Sequence, residues 1–404
     1  MKKILASLTL TLLLCSCGDA TKIIPTSYSA MDGWGNDAHA AAYKVFADSC
    51  VVSSSKSKAY TSKEEGPVGV RQNWNRVCSM AEQQPEPSNE AARQFFESNF
   101  IPYKIETESK STGTLTGYYE PILRGSHVRQ APYLTPVYGV PKDLGARKPY
   151  FSREEIEAGA LKGRAPVLLY VDDPVMLFFL HIQGSGKVRL PDGNLIGLQY
   201  AGQNGQKFVP IGKLLKERGE MSEVSMQGIR DWLHEHSAAE RNELMNANPS
   251  FVFFKLSPGD EMAKGALGLS LTPLRSVAVD DDRAAYGVPT YIDTTMTHYP
   301  NGGQTPLQRL FVSQDTGGAL HSPHRGDLFF GRGTEEEWQA GHQNAQGKIY
   351  WLLPVAEGVH LKDGQPLTSD EVSKLPPPRL ENAAPEVMDE TVPVMAPDIE
   401  MPAQ

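Results

Sequence analysis

Through the middle of the chain apolar residues come in short runs, many alternating with polar ones and separated by Gly or Pro. A period of two bounded by turn residues marks a half-buried strand. The pattern predicts strands over 167–171, 175–183, 251–256, 289–293, 307–315, 327–331 and 348–353. Helical spacing shows in fewer places. Ala92, Phe95, Phe96 and Phe100 recur on one face behind Ser88, a capping residue. Ser237-Ala238-Ala239-Glu240 reads as a capping box before Leu244, and Ser225 can cap a turn that aligns Ile229, Trp232 and Leu233. The prediction is a mainly β fold with a few helices packed on sheets, a barrel or sandwich rather than a doubly wound sheet.

The two ends break this pattern. MKKILASLTLTLLLCSCGDA joins a basic start to an apolar stretch and then small or sulfur-bearing residues, the order of an export signal. Leu14-Cys15-Ser16-Cys17 matches a bacterial lipobox, with Ser16 as the small residue before the cut and Cys17 as the lipidated first residue of the mature chain. Gly18 follows in place of an Asp that would retain the protein at the inner membrane, so the expected location is the outer membrane, facing the periplasm. Several acyl chains on one Cys anchor firmly, each buried CH₂ contributing about 0.8 kcal/mol. A soluble secreted protein cut nearby is the alternative. At the other end, Pro376-Pro377-Pro378 opens a segment with six acids against the single base Arg379 and no aromatic residue. Such a segment buries too little apolar surface to offset its ordering entropy.

A chain of 404 residues exceeds one ordinary domain. The predicted divisions are a signal peptide at 1–16, a lipidated Cys and linker at 17–30, the N-terminal part of a barrel domain at 31–115, an inserted β-rich domain at 116–256, the rest of the barrel at 257–355 and a disordered tail at 356–404. With a net charge of −9 the chain lacks the basic footprint of a nucleic-acid binder. Its longest internal apolar run, 175–182, is too short to cross a bilayer, which takes roughly 20 helical residues. Cys50 and Cys78 remain in the mature body, and in an oxidising compartment they can pair, which would stabilise the fold by about 3.6 kcal/mol on the chain-entropy estimate. Two buried thiols are the alternative.

Several common chemistries are missing. The sequence has no P-loop, no G-x-G-x-x-G after a strand and no H-E-x-x-H. Gln183-Gly184-Ser185-Gly186 lacks the G-x-S-x-G spacing of a nucleophile elbow. His234-Glu235-His236 reads as solvated helix surface. His321, His324 and Asp327 are compactly spaced but have no obvious fourth ligand, so no metal is expected. Carboxylates offer more. Asp315 and Asp327 each end a short apolar strand, with a Gly-containing loop between, and if those strands are neighbours the two carboxyls approach each other. A like charge and apolar neighbours such as Phe329 and Phe330 both raise a carboxyl pKa, which is how a general acid keeps its proton near neutral pH. Capping of a turn by each Asp is the alternative.

Six motifs then occur in order: Gly117-Tyr118-Tyr119-Glu120-Pro121, His181-Ile182-Gln183-Gly184-Ser185-Gly186, Tyr200-Ala201-Gly202-Gln203-Asn204-Gly205, Asn248-Pro249-Ser250-Phe251, Arg275-Ser276-Val277-Ala278-Val279-Asp280, and Gln314-Asp315-Thr316-Gly317-Gly318 with Gly326-Asp327. Together they resemble the membrane-bound lytic murein transglycosylase A family, whose last segment is a three-aspartate domain with Asp280, Asp315 and Asp327 at its three positions. The resemblance implies a double-psi β-barrel with an inserted second β-rich domain and a substrate groove between the two. It implies Asp327 as catalytic acid and Asp315 as its neighbour. The loop between them departs from the family's tighter connection, which leaves the placement of Arg325 open.

The implied reaction cuts the β-1,4 bond between N-acetylmuramic acid and N-acetylglucosamine. The sugar's own C6 hydroxyl attacks C1, so one carboxyl acts first as acid and then as base, where an ordinary glycosidase needs two. A 1,6-anhydro-N-acetylmuramyl end results. Tyr118 and Tyr119 are candidates to stack on sugar faces, with core packing as the alternative for each. Gln183 and Ser185 are candidates to hydrogen-bond the glycan, Asp280 to contact it, and Gly184, Gly186, Gly317 and Gly318 to permit close backbone approach. No cofactor is implied. The implied partners are peptidoglycan glycan strands, the outer membrane through the lipid anchor, and proteins of cell-wall synthesis or division. A glycan hydrolase on the same barrel and a non-catalytic peptidoglycan-binding lipoprotein are the other readings.

Overall fold

The structure, a computed structural model, describes residues 21–53, 60–62, 66–318, 320–368 and 371. The chain separates into two units, Met1–Pro366 and Leu367–Gln404, and every element named below belongs to the first. Cys17 and the acidic tail beyond residue 371 lie outside the described residues.

Six strands form a closed barrel. In chain order they are β1 (Gly113–Tyr118), β2 (Ser276–Val279), β3 (Pro289–Thr297), β4 (Gln304–Thr316), β5 (Arg325–Phe329) and β6 (Asn344–Pro354). Around the wall the order is β6-β3-β4-β2-β5-β1, and β6 returns to β1 to close it. Two neighbouring pairs are parallel, β2 with β4 and β1 with β5. Leu115, Val277, Leu310, Val312, Leu328 and Ile349 pack into the main core. Each such side chain contributes about 1.5–3 kcal/mol by leaving water. Between β1 and β2 the chain makes an excursion that is a domain in itself.

That insert is a six-stranded sheet in the order Val252–Pro258, Leu195–Gln203, Gly186–Arg189, Ile122–Ser126, Val167–Val171, Thr135–Tyr138. Leu123, Val137, Leu169, Val188, Leu198 and Phe254 build a separate core inside it. The longer helices are α1 (His39–Ser53), α2 (Arg71–Gln83) and α3 (Asn89–Asn99) before the barrel, α4 (Pro174–Gln183), α5 (Ile211–Glu217), α6 (Met226–Glu235) and α7 (Ala238–Asn246) in the insert, and α8 (Thr334–His342) after β5. Ser88, Ser225 and Ser237 cap α3, α6 and α7, each accepting from a backbone N–H three residues on. Cys50 on α1 and Cys78 on α2 are joined by a disulfide, with their Cα atoms 5.3 Å apart.

Three expectations change. The run 175–183 is helix α4, not a strand. The Asp173 carboxylate accepts from Val175 N at 2.8 Å and Met176 N at 3.3 Å, Pro174 occupies the first turn, and Gly184 ends the helix at φ 78°. A short apolar run fits either element, so its ends decide. Nor is 17–30 a linker throughout: Thr21–Pro25 pairs with Phe100–Thr107, which pairs with β6, and the buried Tyr28 donates to Phe96 O at 2.9 Å and Phe100 O at 3.0 Å. Residues 361–366, assigned to the tail, are likewise structured. An Asp363-Gly364 turn joins Leu361–Lys362 to Gln365–Pro366, and Asp363 accepts from Ser29 N at 2.7 Å.

Candidate active site

Ala278 of β2 pairs with Asp315 of β4 on one side and with Asp327 of β5 on the other, and Asp327 in turn pairs with Thr116 of β1. Residues opposite one another on adjacent strands share a face. Leu115, Val277 and Leu328 enter the core, so the row Asp315, Ala278, Asp327, Thr116 takes the other face. The two aspartate-bearing strands are therefore not neighbours as the sequence suggested. β2 lies between them and sets their backbones roughly 10 Å apart, two strand spacings. Small Ala278 leaves the space above it to the carboxyls.

The half-buried aspartates have different surroundings. Asp315 accepts three hydrogen bonds, from Ala266 N at 2.9 Å, Thr316 N at 2.9 Å and the Tyr118 hydroxyl at 3.0 Å. Burial still pushes its pKa up to about 6, against those three donors and with help from the charge of Asp327. Asp327 has one side-chain donor, the Thr116 hydroxyl on Oδ1. Burial raises its pKa too, while the Thr116 bond and the Arg325 guanidinium pull the other way. Arg325 thus acts on Asp327 through its charge despite the longer loop. Its Oδ2 lies toward Gly317, where an added Cβ would come within 3.9 Å of it.

Tyr118 sits beside Asp315 with its ring centroid 5.2 Å from that of Phe329. Burial first, and then Asp315, raise the phenol's pKa, so it remains a donor. Tyr119 is 3% exposed within the main core and presents no face to a sugar, which corrects the stacking expectation for that residue. Its backbone N–H donates to Gln183 Oε1 at 3.0 Å, so that amide oxygen serves the protein's own backbone. Asp280 is 2% exposed at the end of β2 and accepts from Asp282 N at 3.2 Å. Burial raises its pKa. That carboxyl secures its own turn and offers no surface to a substrate. Ser185 is half-buried between α4 and the strand Gly186–Arg189, and Gly318 is exposed. Gly186 has a packing reason: a Cβ there would meet Leu180 Cδ1 at 2.5 Å and Pro121 O at 2.8 Å. His324 is buried and His321 exposed, so they do not present a common ligand set with Asp327.

Sequence reasoning passed over Thr116. It could have been found from Thr116, Tyr118 and Glu120, which alternate along one stretch so that the first two meet Asp327 and Asp315. Lys187 and Arg332, the partners of Glu120, were also missed.

Comparison with known proteins accounts for both modules. A model of the MltA specific insert domain matches residues 114–255, and a model of the 3D domain matches residues 275–353. Membrane-bound lytic murein transglycosylase A of Escherichia coli strain K12 is 39% identical over 249 residues, 60% of this chain and 66% of that protein, just under two thirds of its length. Among solved structures, the membrane-bound lytic murein transglycosylase from Agrobacterium tumefaciens superposes with a TM-score of 0.73 at 30% identity, covering 82% of this chain and 98% of that one. The structure of E. coli MltA with bound chitohexaose superposes with a TM-score of 0.65 at 28% identity, covering 84% and 96%. A barrel interrupted after its first strand by a β-rich insert is thus shared over nearly the full length of solved relatives, and the chain belongs to the membrane-bound lytic murein transglycosylase A family.

Proposed function

We propose that this protein is a lytic transglycosylase of peptidoglycan, cleaving the β-1,4 bond between N-acetylmuramic acid and N-acetylglucosamine with Asp327 as sole acid and base. The observation that carries the reading is the asymmetry of the two aspartates. Asp315, with three donors on its oxygens, has hydrogen bonds suited to an ionised carboxylate. Asp327, with Oδ1 taken by Thr116, is suited to carry a proton on Oδ2. Burial raises both carboxyls, which titrate as a pair, and we assign the catalytic proton to Asp327 because the three donors on Asp315 favour the ionised form of that group.

The glycan lies between barrel and insert, over the aspartate face of what we read as a double-psi barrel. Asp327 Oδ2–H protonates the glycosidic oxygen as the C1–O4 bond breaks, and the leaving sugar departs neutral. Positive charge developing at C1 is stabilised by nearby Asp315. The C6 hydroxyl of the same sugar then bonds to C1, and Asp327, now a carboxylate, takes the O6 proton and is restored. Because the nucleophile is tethered, its delivery can contribute several kcal/mol without a bound water. The product is a 1,6-anhydro end. Chitohexaose, the ligand of the E. coli relative, is a β-1,4-linked hexasaccharide and a fitting probe for this groove. We further propose that Cys17 is lipidated and anchors the protein at the outer membrane, within reach of peptidoglycan and of cell-wall synthesis or division proteins.

The test is mass spectrometry of sacculi digested in ¹⁸O water. Anhydro ends without ¹⁸O support the proposal. Reducing ends carrying ¹⁸O would mean a hydrolase, and intact sacculi a binding protein.

A further inference from the structure

The chain passes between barrel and insert twice, at 119–121 after β1 and at 258–261 on return. One buried carboxylate joins a cation from each module there. Glu120 is 1% exposed. It lies 3.4 Å from Lys187 Nζ, itself 2% exposed, on the insert strand Gly186–Arg189. It also accepts from Arg332 Nε at 2.7 Å, just past β5 of the barrel. The two cations hold the returning segment in turn: Lys187 Nζ donates to Pro258 O at 3.2 Å and Arg332 donates to Glu261 O at 2.9 Å. Backbone bonds repeat the arrangement, Glu120 N to Gly331 O at 2.8 Å and Lys187 N to Pro121 O at 2.8 Å. A second polar contact stands apart from the first, where Arg230 of α6 donates to Glu337 of α8 and Gln227 Nε2 donates to Glu337 O at 3.2 Å.

Buried ion clusters gain little net stability, because removing charges from water offsets their attraction; their clearest effect is to specify one arrangement. Apolar packing would have joined these modules in several nearby poses, whereas a carboxylate between two cations from opposite modules admits few. We propose that Glu120 is a positioning residue that fixes the pose of the insert over the aspartate face and so sets the width of the glycan groove. This rests on the reading that the glycan binds between the two modules. Glu120 touches no reacting atom, and its effect is on binding geometry rather than on proton transfer.

The experiment measures pose and binding separately in a Cys17→Ala background. Spin labels at Val128→Cys in the insert and Val70→Cys beside the barrel, both well exposed, report the distance between modules by double electron–electron resonance. Chitohexaose is the ligand probe. The parent should give one narrow distance. Glu120→Gln leaves Lys187 and Arg332 facing each other without a counter-charge, and should broaden or shift that distance. It should also weaken chitohexaose binding roughly tenfold to a hundredfold, the scale of a misplaced binding surface, with the pH profile of kcat unmoved. Adding Lys187→Met removes one of the opposed cations and should recover the narrow distance. Arg332→Gln, which keeps the Glu120–Lys187 pair, gives a milder version if Glu120→Gln does not fold. An unchanged distance in these variants overturns the proposal, whatever happens to binding. A shifted distance in a protein whose parent form binds no chitohexaose retains the latch and refutes the groove reading instead.

Discussion

Replacing Asp315 by Asn should make the protein more stable at neutral pH while making it a poorer enzyme. Burial raises this carboxyl from its ordinary 3.8 to about 6. A group whose folded pKa lies above its unfolded one contributes stability that is fully present below the unfolded value and is lost as pH rises through the folded value. At pH 7 the wild-type protein therefore holds an ionised carboxylate at a cost. At 1.36 kcal/mol per pH unit the cost is about 3 kcal/mol, and solvent screening at a half-buried group reduces it to about 1–3 kcal/mol. Asn still accepts from Ala266 N and Thr316 N through Oδ1, and its amide can donate to the Tyr118 oxygen, so the hydrogen bonds survive in altered form. Denaturant unfolding of both proteins at pH 4 and 7.5 measures the effect as a difference. The variant should gain about 1–3 kcal/mol at pH 7.5 and little or nothing at pH 4. Activity should fall, and its alkaline limb should move to lower pH, since Coulomb repulsion is mutual and losing the Asp315 charge lowers the pKa of Asp327. Equal destabilisation at both pH values would refute the argument, because Asp315 would then be a structural hydrogen-bond acceptor and not a carboxylate held ionised for function.

Asp327→Asn should lower activity on sacculi by roughly 10² or more while chitohexaose affinity changes little; retained turnover in this variant would move the acid elsewhere. Thr116→Val removes the donor to Asp327 Oδ1 and should shift the alkaline limb upward, read as a pH–rate profile against wild type. Cys17→Ala should release the protein from membranes with activity on isolated sacculi intact, checked by fractionation. Replacing Cys50 and Cys78 together by Ser should cost about 3–4 kcal/mol on the loop-closure estimate, measured by unfolding in non-reducing buffer.

What the sequence disclosed follows the range of the interactions involved. Strands such as β3 and β4 were legible because turn residues bound their apolar runs, Gly287 before β3 and Gly317-Gly318 after β4. Serine caps were legible because they act within three residues. Helix α1 was not, since its buried stripe contains the polar His39 and Ser49 while Ala41 and Val51 on the other side are exposed. Helix α4 was misread because its apolar run is continuous and only Asp173 and Gly184 reveal what it is.

The site lay furthest from local reading. Both aspartates were visible as strand-end carboxyls, but β2 comes between their strands, and strand order is not a local property. Their donors are more distant still: Thr116 and Tyr118 precede Asp327 and Asp315 by 211 and 197 residues. The topology supplies the reason. β1 must lie parallel beside β5 to bring Thr116 to Asp327, and the long excursion the chain makes on the way is the insert. The same connection that sets the acid's hydrogen bond thus carries the second wall of the proposed groove, and Glu120, two residues past the donor to Asp315, pins that wall where it leaves the barrel. Proton placement and groove geometry then depend on one short stretch, 116–120, and substitutions within it should separate them: position 116 through the pH profile, position 120 through glycan affinity.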